Sequence, residues 1–306
     1  MQRYIATRLL YAVVTLFAVT TLAFFLMRVA PGGPFNLERP LDPRVMENIH
    51  RHYHLDEPLW RQYLRYLSGL AHGDLGPSFT WQDFSVGALL AHAFPISAGL
   101  GAAALVLAAI VGVATGAFAA FRHRGAVDQA TLVVATLGVA LPSFVIAPAL
   151  QLLFGLTLRW LPIGGWEDGG VSCLILPIAT LAAPQAAVIA RLTRASMIEA
   201  LGSPSIRTLR AYGMPRSIIR RHALRAALAP IVSYLGPAAA ALMTGSVVVE
   251  TIFGIPGIGR SFVDGALNRD YTLVMGATLL VASLVIAFNF LVDIAYAAID
   301  PRVRHD

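Results

Sequence analysis

The feature that most constrains this chain is the length of its stretches without charge: residues 9–27 and 97–121 contain no Asp, Glu, Lys or Arg. A bilayer's hydrocarbon core is about 30 Å thick and a helix rises about 1.5 Å per residue, so roughly 20 apolar residues cross it. Hydrophobic residues make up 57% of the 306 and charged residues 13%, against about a quarter charged in soluble domains. The predicted fold class is all-α: a polytopic membrane protein, one transmembrane domain over residues 1–306, with spans at about 9–28, 97–121, 129–158, 174–190, 230–253 and 272–299. The third window is long and holds Pro142 and Pro148, which predicts a kink, a tilt or a re-entrant stretch. Pro177, Pro184 and Pro237 predict further breaks. Such helices persist in lipid only where neighbours or water satisfy the freed carbonyls, so a bundle lining a pathway is expected.

Arginine sets the orientation. With the N-terminus inside, the inner segments carry Arg3, Arg8, Arg122, Arg124, Arg191, Arg194, Arg207, Arg210, Arg216, Arg220, Arg221, Arg225, Arg302 and Arg304 against only Asp128, Glu199, Asp300 and Asp306. The positive-inside rule then places both termini in the cytoplasm. This asymmetry accounts for the basic pI, and nucleic-acid binding is not needed to explain it. Every basic residue is Arg and none is Lys, a bias that reflects genome composition. The apolar stretch after Arg8 is too long for a signal peptide and lacks a small-residue cleavage site, so a retained first helix is expected. The lone Cys173 reads as structural filler.

On the opposite side, residues 31–95 are too long for a plain connection and read as a helical insertion. Asp42 before Pro43, and Asp56 before Glu57-Pro58, suit helix caps. Leu59, Tyr63, Tyr66, Leu67 and Leu70 then recur at helical spacing. Two Gly-rich loops, Leu161-Pro-Ile-Gly-Gly165 and Phe253-Gly-Ile-Pro-Gly-Ile-Gly259, share that side. Trp81, Trp160 and Trp166 fit an interfacial aromatic belt. His50, His52 and His54 could place two imidazoles on one helical face, but no further carboxylate or thiol completes a metal site, and none is assigned. Glu250, Asn289 and Asp293 are polar groups at or near membrane depth; Glu250 and Asp293 sit near opposite ends of their spans, which favours local pairing or helix capping over a proton relay. Asn289 and Asp293 suit an interhelical hydrogen bond, and Gly99, Gly101, Gly112 and Gly116 suit close helix packing.

The most informative stretch is the basic segment 191–229. Ser203 or Ser205 can cap a short helix through Tyr212, Gly213 can supply a left-handed stop and Pro215 can open the next helix. Two readings stand: a rigid helix-turn-helix elbow that passes force to the spans on either side, or a basic loop lying on anionic lipid.

This stretch resembles the conserved cytoplasmic loop of ABC importer permeases, in their oligopeptide and dipeptide branch. So do Arg8-Leu-Leu, Leu26-Met-Arg-Val-Ala-Pro-Gly-Gly-Pro34, His52-Tyr-His-Leu-Asp56, Ala71-His-Gly-Asp-Leu-Gly-Pro-Ser-Phe79, Arg159-Trp-Leu-Pro-Ile-Gly-Gly-Trp166, Glu250-Thr-Ile-Phe-Gly-Ile-Pro-Gly-Ile-Gly259, Leu267-Asn-Arg-Asp-Tyr271 and Asp300-Pro-Arg-Val-Arg304. The blocks run in order over nearly the whole chain. The resemblance implies a non-catalytic subunit of a bacterial inner membrane, forming half of a peptide pathway. It also implies a second homologous permease subunit, two cytoplasmic ATPase subunits that hold ATP and Mg, and a periplasmic peptide-binding protein. Residues 205–212, closed by Gly213, would be the coupling helix, with Ile206, Arg207, Leu209, Arg210 and Met214 against an ATPase. The sequence departs from the branch's usual Arg-Thr-Ala-Arg-Ala-Lys-Gly at Leu209 and Tyr212. Without a lysine the chain has no phosphate-cradling Gly-Lys-Ser/Thr loop, so hydrolysis must come from a partner. A permease for dipeptides, nickel or another small solute is the alternative within transport. An ion-coupled transporter would need internal repeats and midplane charges, and a hydrolase a nucleophile and base at one depth; neither pattern is evident.

Overall fold

The structure is a computed structural model describing residues 2–29, 55–81, 83–166, 170–243 and 247–299, with backbone alone at 2–5, 243 and 292–299. Among these residues the elements are all helical. In chain order they are α1 (Gln2–Val29), α2 (Leu59–Ala71), α3 (Val86–Phe121), α4 (Ala126–Ala140), α5 (Ser143–Leu150), a π-helical segment (Gln151–Thr157), α6 (Val171–Gly202), α7 (Pro204–Ala211), α8 (Arg216–Met243), α9 (Val247–Phe253), α10 (Ile258–Leu267) and α11 (Tyr271–Ile299). Among the described residues five helices are long and apolar enough to cross a membrane, and a sixth span results when α4 is counted with residues 143–157.

Sequence and structure part company where hydropathy was asked to find helix ends. Helix α3 begins eleven residues before its apolar window and reaches 36 residues, about 54 Å of helix against a core of about 30 Å. The end of the expected insertion at 31–95 is therefore the start of a span. Likewise α6 runs on to Gly202, and the fifth span is Arg216–Leu242 instead of 230–253. A helix does not have to stop where its apolar face does, so the expected loop 191–229 is two helix extensions around a short helix. Pro177, Pro184, Pro230 and Pro237 sit inside unbroken helices, as neighbouring helices permit in lipid. Pro142 does break the third span. Leu141, pushed into extended conformation (ψ 119°) as residues before proline are, joins α4 to α5, and the two arms of the pair bend by 107°.

Contacts divide the chain into two compact units: Met1–Ile96 with Pro256–Ile286, and Ser97–Ile255 with Ala287–Asp306. In the first, Val86, Leu90, Ala93, Ile258, Leu273 and Ala277 form a buried apolar cluster. Asp270, fully buried, is the N-cap of α11. Its Oδ1 accepts from the Leu273 N–H (3.0 Å) and the Thr272 hydroxyl (2.9 Å), and its Oδ2 from the Ser78 hydroxyl and the Thr80 N–H (3.1 Å), so one carboxylate caps a helix and pins a loop. Helix α2 lies on the end of α1, with Tyr63 edge-on to Phe24 (5.1 Å), Tyr63 and Thr21 hydroxyls 2.7 Å apart, and the Arg28 guanidinium over the Phe24 ring. Asp56 is not its cap. The helix opens from Pro58, whose carbonyl accepts from Arg61 and Gln62, with no side-chain cap. Asp42, Pro43, His50, His52 and His54 lie outside the described residues.

In the second unit α6 is central, packing on α4 and α8. Gly112 and Gly116 permit its approach to α3: a Cβ at Gly112 would stand 2.7 Å from Ile189 Cβ, and one at Gly116 2.4 Å from the Ala190 carbonyl oxygen. Gly99 has open space around it, so close packing is not its role.

Gly116→Val should lower the thermal unfolding midpoint in detergent by the equivalent of about 1–3 kcal/mol, whereas Gly99→Ala should leave it unchanged or slightly raised. Equal midpoints for native and Gly116→Val would refute the close approach. Asp270→Ala should cost about 2 kcal/mol, read as faster hydrogen exchange at residues 78–80 and 270–273.

Candidate functional site

The elbow between α6 and α8 is built by local chemistry. Ser203 is extended (ψ 152°), Pro204 occupies the first helical position of α7, and eight residues later the helix stops. Its end is a Schellman motif: Gly213, at φ +68°, donates to the Arg210 carbonyl (3.0 Å) and Met214 to that of Leu209 (3.1 Å). A side chain at Gly213 would meet nothing within 4 Å, so the backbone angle alone calls for glycine. The Pro215 carbonyl then accepts from Ile218 and Ile219 and starts α8. The expected serine cap does not form. Ser203 Oγ donates back to the Ala200 carbonyl (2.7 Å) and lies 3.0 Å from Ser205 Oγ, leaving α7 without a side-chain cap.

One residue fastens this helix. Ile206 is 3% exposed and sits in a cluster with Ala120 of α3, Met197 and Ala200 of α6, and Ile219, Ala223 and Ala227 of α8, with Leu209 packed against it. Ile206 is thus an anchor, and a direct partner contact from it is corrected on that ground: its face is already used. Arg207, Arg210, Gly213 and Met214 point outward. So does Tyr212, 76% exposed and absent from the expected contacts. Its position at the helix end, where the side chain leaves the apolar stripe, was the available signal. Two arginines on a short helix, with an aromatic ring and a thioether on its closing turn, are residue types common in docking surfaces. Behind them the Arg220 guanidinium stacks 4.9 Å from the Phe121 ring.

A second feature went unread in the sequence. Asp128, in the first turn of α4, is 2% exposed. Arg194 of α6 grips it with two donors, Nε to Oδ1 and Nη2 to Oδ2 (2.8 Å). The Arg124 N–H (2.8 Å) and His123 Nδ1 (3.3 Å) complete its surroundings, with Arg124 itself left-handed at φ +64°. As one acid in a basic loop it carried no pattern, because its partner is 66 residues away.

At the other end of this unit the two Gly-rich loops meet. Gly165 donates to the Phe253 carbonyl (2.8 Å), and a Cβ at Gly164 would stand 2.7 Å from that oxygen. Glu250, fully buried, accepts from the Ser97 hydroxyl (2.8 Å), the local pairing expected of it. Asn289 is exposed and lies on the same helix as Asp293, whose side chain is outside the described residues. Trp81 and Trp160 are exposed and Trp166 half-buried. A groove of about 500 Å³ runs between α3, α4 and α6, lined by Ala130, Val134, Gly138, Ala183, Ala187 and their neighbours. Its hydroxyls, Thr115 and Thr131, are bonded to the carbonyls of Val111 and Val127. An apolar groove of this kind suits a lipid chain or a helix better than a polar solute.

Known proteins share this plan over its whole length. The chain is 52% identical to the oligopeptide transport system permease protein OppB of Salmonella typhimurium and 53% identical to that of Escherichia coli K12, with all of each chain covered. It is 42% identical to the dipeptide transport system permease protein DppB of Bacillus subtilis, over 99% of this chain and 98% of that one. Residues 1–97 match the N-terminal family of binding-protein-dependent transport system membrane components. Residues 112–305, with the elbow, the Asp128–Arg194 pair and the Glu250 loop inside them, match the binding-protein-dependent transport system inner membrane component, and the chain belongs to that family.

Proposed function

We propose that this chain is the permease subunit of an ATP-driven oligopeptide importer in a bacterial inner membrane, with both termini cytoplasmic. It forms half of the pathway beside a second homologous permease, and one of two ATPase subunits docks on its elbow. The observation that carries this reading is the mechanical character of α7: held at its core by Ile206, closed by Gly213, and turning Arg207, Arg210, Tyr212 and Met214 outward. Oligopeptide as cargo is supported by the 52–53% identity to oligopeptide permeases, against 42% to the dipeptide permease. A periplasmic binding protein delivers the peptide.

The mechanism is alternating access. ATP binding draws the ATPases together; α7, seated in its groove on one of them, moves with it, and because α7 shares a core with α3, α6 and α8 the helix ends move too. The pathway opens outward to receive peptide, and hydrolysis resets it. ATP and Mg stay on the ATPases, since the chain has no lysine for a phosphate-binding loop.

Purified with its partners, the complex should couple ATP hydrolysis to peptide uptake into proteoliposomes, while this chain alone should show no ATPase activity. Uptake driven by an ion gradient through this chain alone would overturn the reading. Arg207→Glu with Arg210→Glu should weaken ATPase binding at least about tenfold, ~1.4 kcal/mol, and more at low salt; unchanged affinity would move the docking surface elsewhere. Gly213→Pro, which forces φ from +68° to about −65°, should abolish uptake while the chain still inserts.

A further inference from the structure

We infer that Asp128 and Arg194 are positioning residues that tie the bent span α4–α5 to the elbow, so that movement of α7 is carried into the break at Pro142. The inference rests on the proposed ATP-driven mechanism and adds to it the route by which force reaches this span.

The elbow's core leaves one neighbouring helix out. Its buried cluster takes Ala120 from α3, Met197 and Ala200 from α6, Ile206 from α7, and Ile219, Ala223 and Ala227 from α8. No residue of α4 is among the described members of that cluster. Motion of α7 thus reaches α3, α6 and α8 through close-packed side chains, which transmit displacement because they cannot be compressed. Helix α4 is reached one step further on, through α6, on which it packs.

Along its length α4 faces α6 across the apolar groove, with Val127, Thr131 and Val134 on one wall and Ala183, Ala186 and Ala190 on the other. These apolar contacts, close at Gly138, where a Cβ would stand 3.0 Å from Ala187 Cβ, hold α4 near α6 but carry no direction of their own. At the elbow end the groove is closed by one directed interaction, the two-pronged Arg194–Asp128 pair. A bidentate guanidinium–carboxylate contact fixes angle as well as distance. Its carboxylate is also held by the Arg124 N–H, so the grip extends to the turn between α3 and α4. Arg194 lies on α6 eight residues before its end at Gly202, between the groove and the elbow. Thirteen residues beyond Asp128 the chain reaches Leu141, where the 107° bend begins. A pull on Arg194 therefore acts on the near end of α4, and the far end is where the span can fold.

The test uses the complete complex in proteoliposomes. Asp128→Asn keeps an acceptor for the Arg124 N–H and removes the charge that Arg194 grips; Arg194→Lys keeps charge and loses the two-pronged geometry. The first should hydrolyse ATP at a rate close to native while the number of peptides moved per ATP falls at least tenfold, and the second should show an intermediate loss. Spin labels replacing Leu141 and the exposed Ser217 at the start of α8 should keep a constant separation through the nucleotide cycle in the native background and separate under trapped nucleotide in Asp128→Asn. Native coupling in both variants, or a separation that changes in the native background, would overturn the inference. Should Asp128→Asn fail to insert, Arg194→Lys decides by the same two readouts. Absence of ATP-driven uptake in the native complex would instead refute the proposed function.

Discussion

Hydrocarbon offers a backbone no hydrogen bond, and the architecture follows from that single deficit. Every described element is helical because a helix bonds its own amides and carbonyls. Each departure from helix is met by a specific partner. The break at Pro142 has its carbonyl taken up by Val145 and Ile146, and the turn after Thr157 returns Trp160 N–H to the Phe154 carbonyl. The Gln151 amide donates to the Ile163 carbonyl (2.7 Å), so a side chain supplies what the π-helical segment and the following loop lack. Where four donors converge on one group, as at Asp270, a buried carboxylate serves as a small solvent for the backbone and side chains around it.

With backbone demand met, side-chain size and charge decide what moves with what. Small residues bring α3 onto α6 at Gly112 and Gly116; medium-sized apolar residues seat α7 around Ile206; an ion pair at Asp128 adds direction to the packing of α4 on α6. These three kinds of contact differ in stiffness. Backbone-to-backbone packing barely yields, an apolar seat can rock, and a two-pronged ion pair resists rotation but can be broken by one substitution. The three kinds of contact draw on residues from Gly112 to Ala227 of this unit. The end away from the elbow relies on glycine loops meeting at Phe253.

Much of this was legible in the sequence, and the limits have physical causes. The uncharged runs announced the spans, and Pro142 announced the bend, because hydropathy and missing amides are local properties. Gly213 announced the end of α7 because the left-handed conformation is nearly reserved for glycine. The start of α3 at Val86 was not legible, since a helix leaving the bilayer changes its side chains without changing its backbone. Neither the Asp128–Arg194 pair nor the Asp270 hub could be read, because the first joins residues 66 apart and the second brings Ser78 to a carboxylate 192 positions away. Tyr212 was noticed only as a departure from a familiar pattern. Its exposure is what gives that departure a physical meaning: a bulky ring on the outer surface of the elbow.

The N-terminal helix carries a consequence for how the protein is made. Only 11% of its apolar window is buried, and Leu9, Leu10, Tyr11, Val13, Val14 and Phe17 all face outward. Its described ties to the rest of its unit cluster in its last turns, at Thr21, Phe24 and Arg28. Since α1 is synthesised before α2, these ties have no partner when the helix first leaves the ribosome, and its fit to lipid must hold it alone. The Phe24–Tyr63 contact then forms as a clasp on a helix already in place, so the first span enters the membrane as a tether and becomes part of the fold only afterwards.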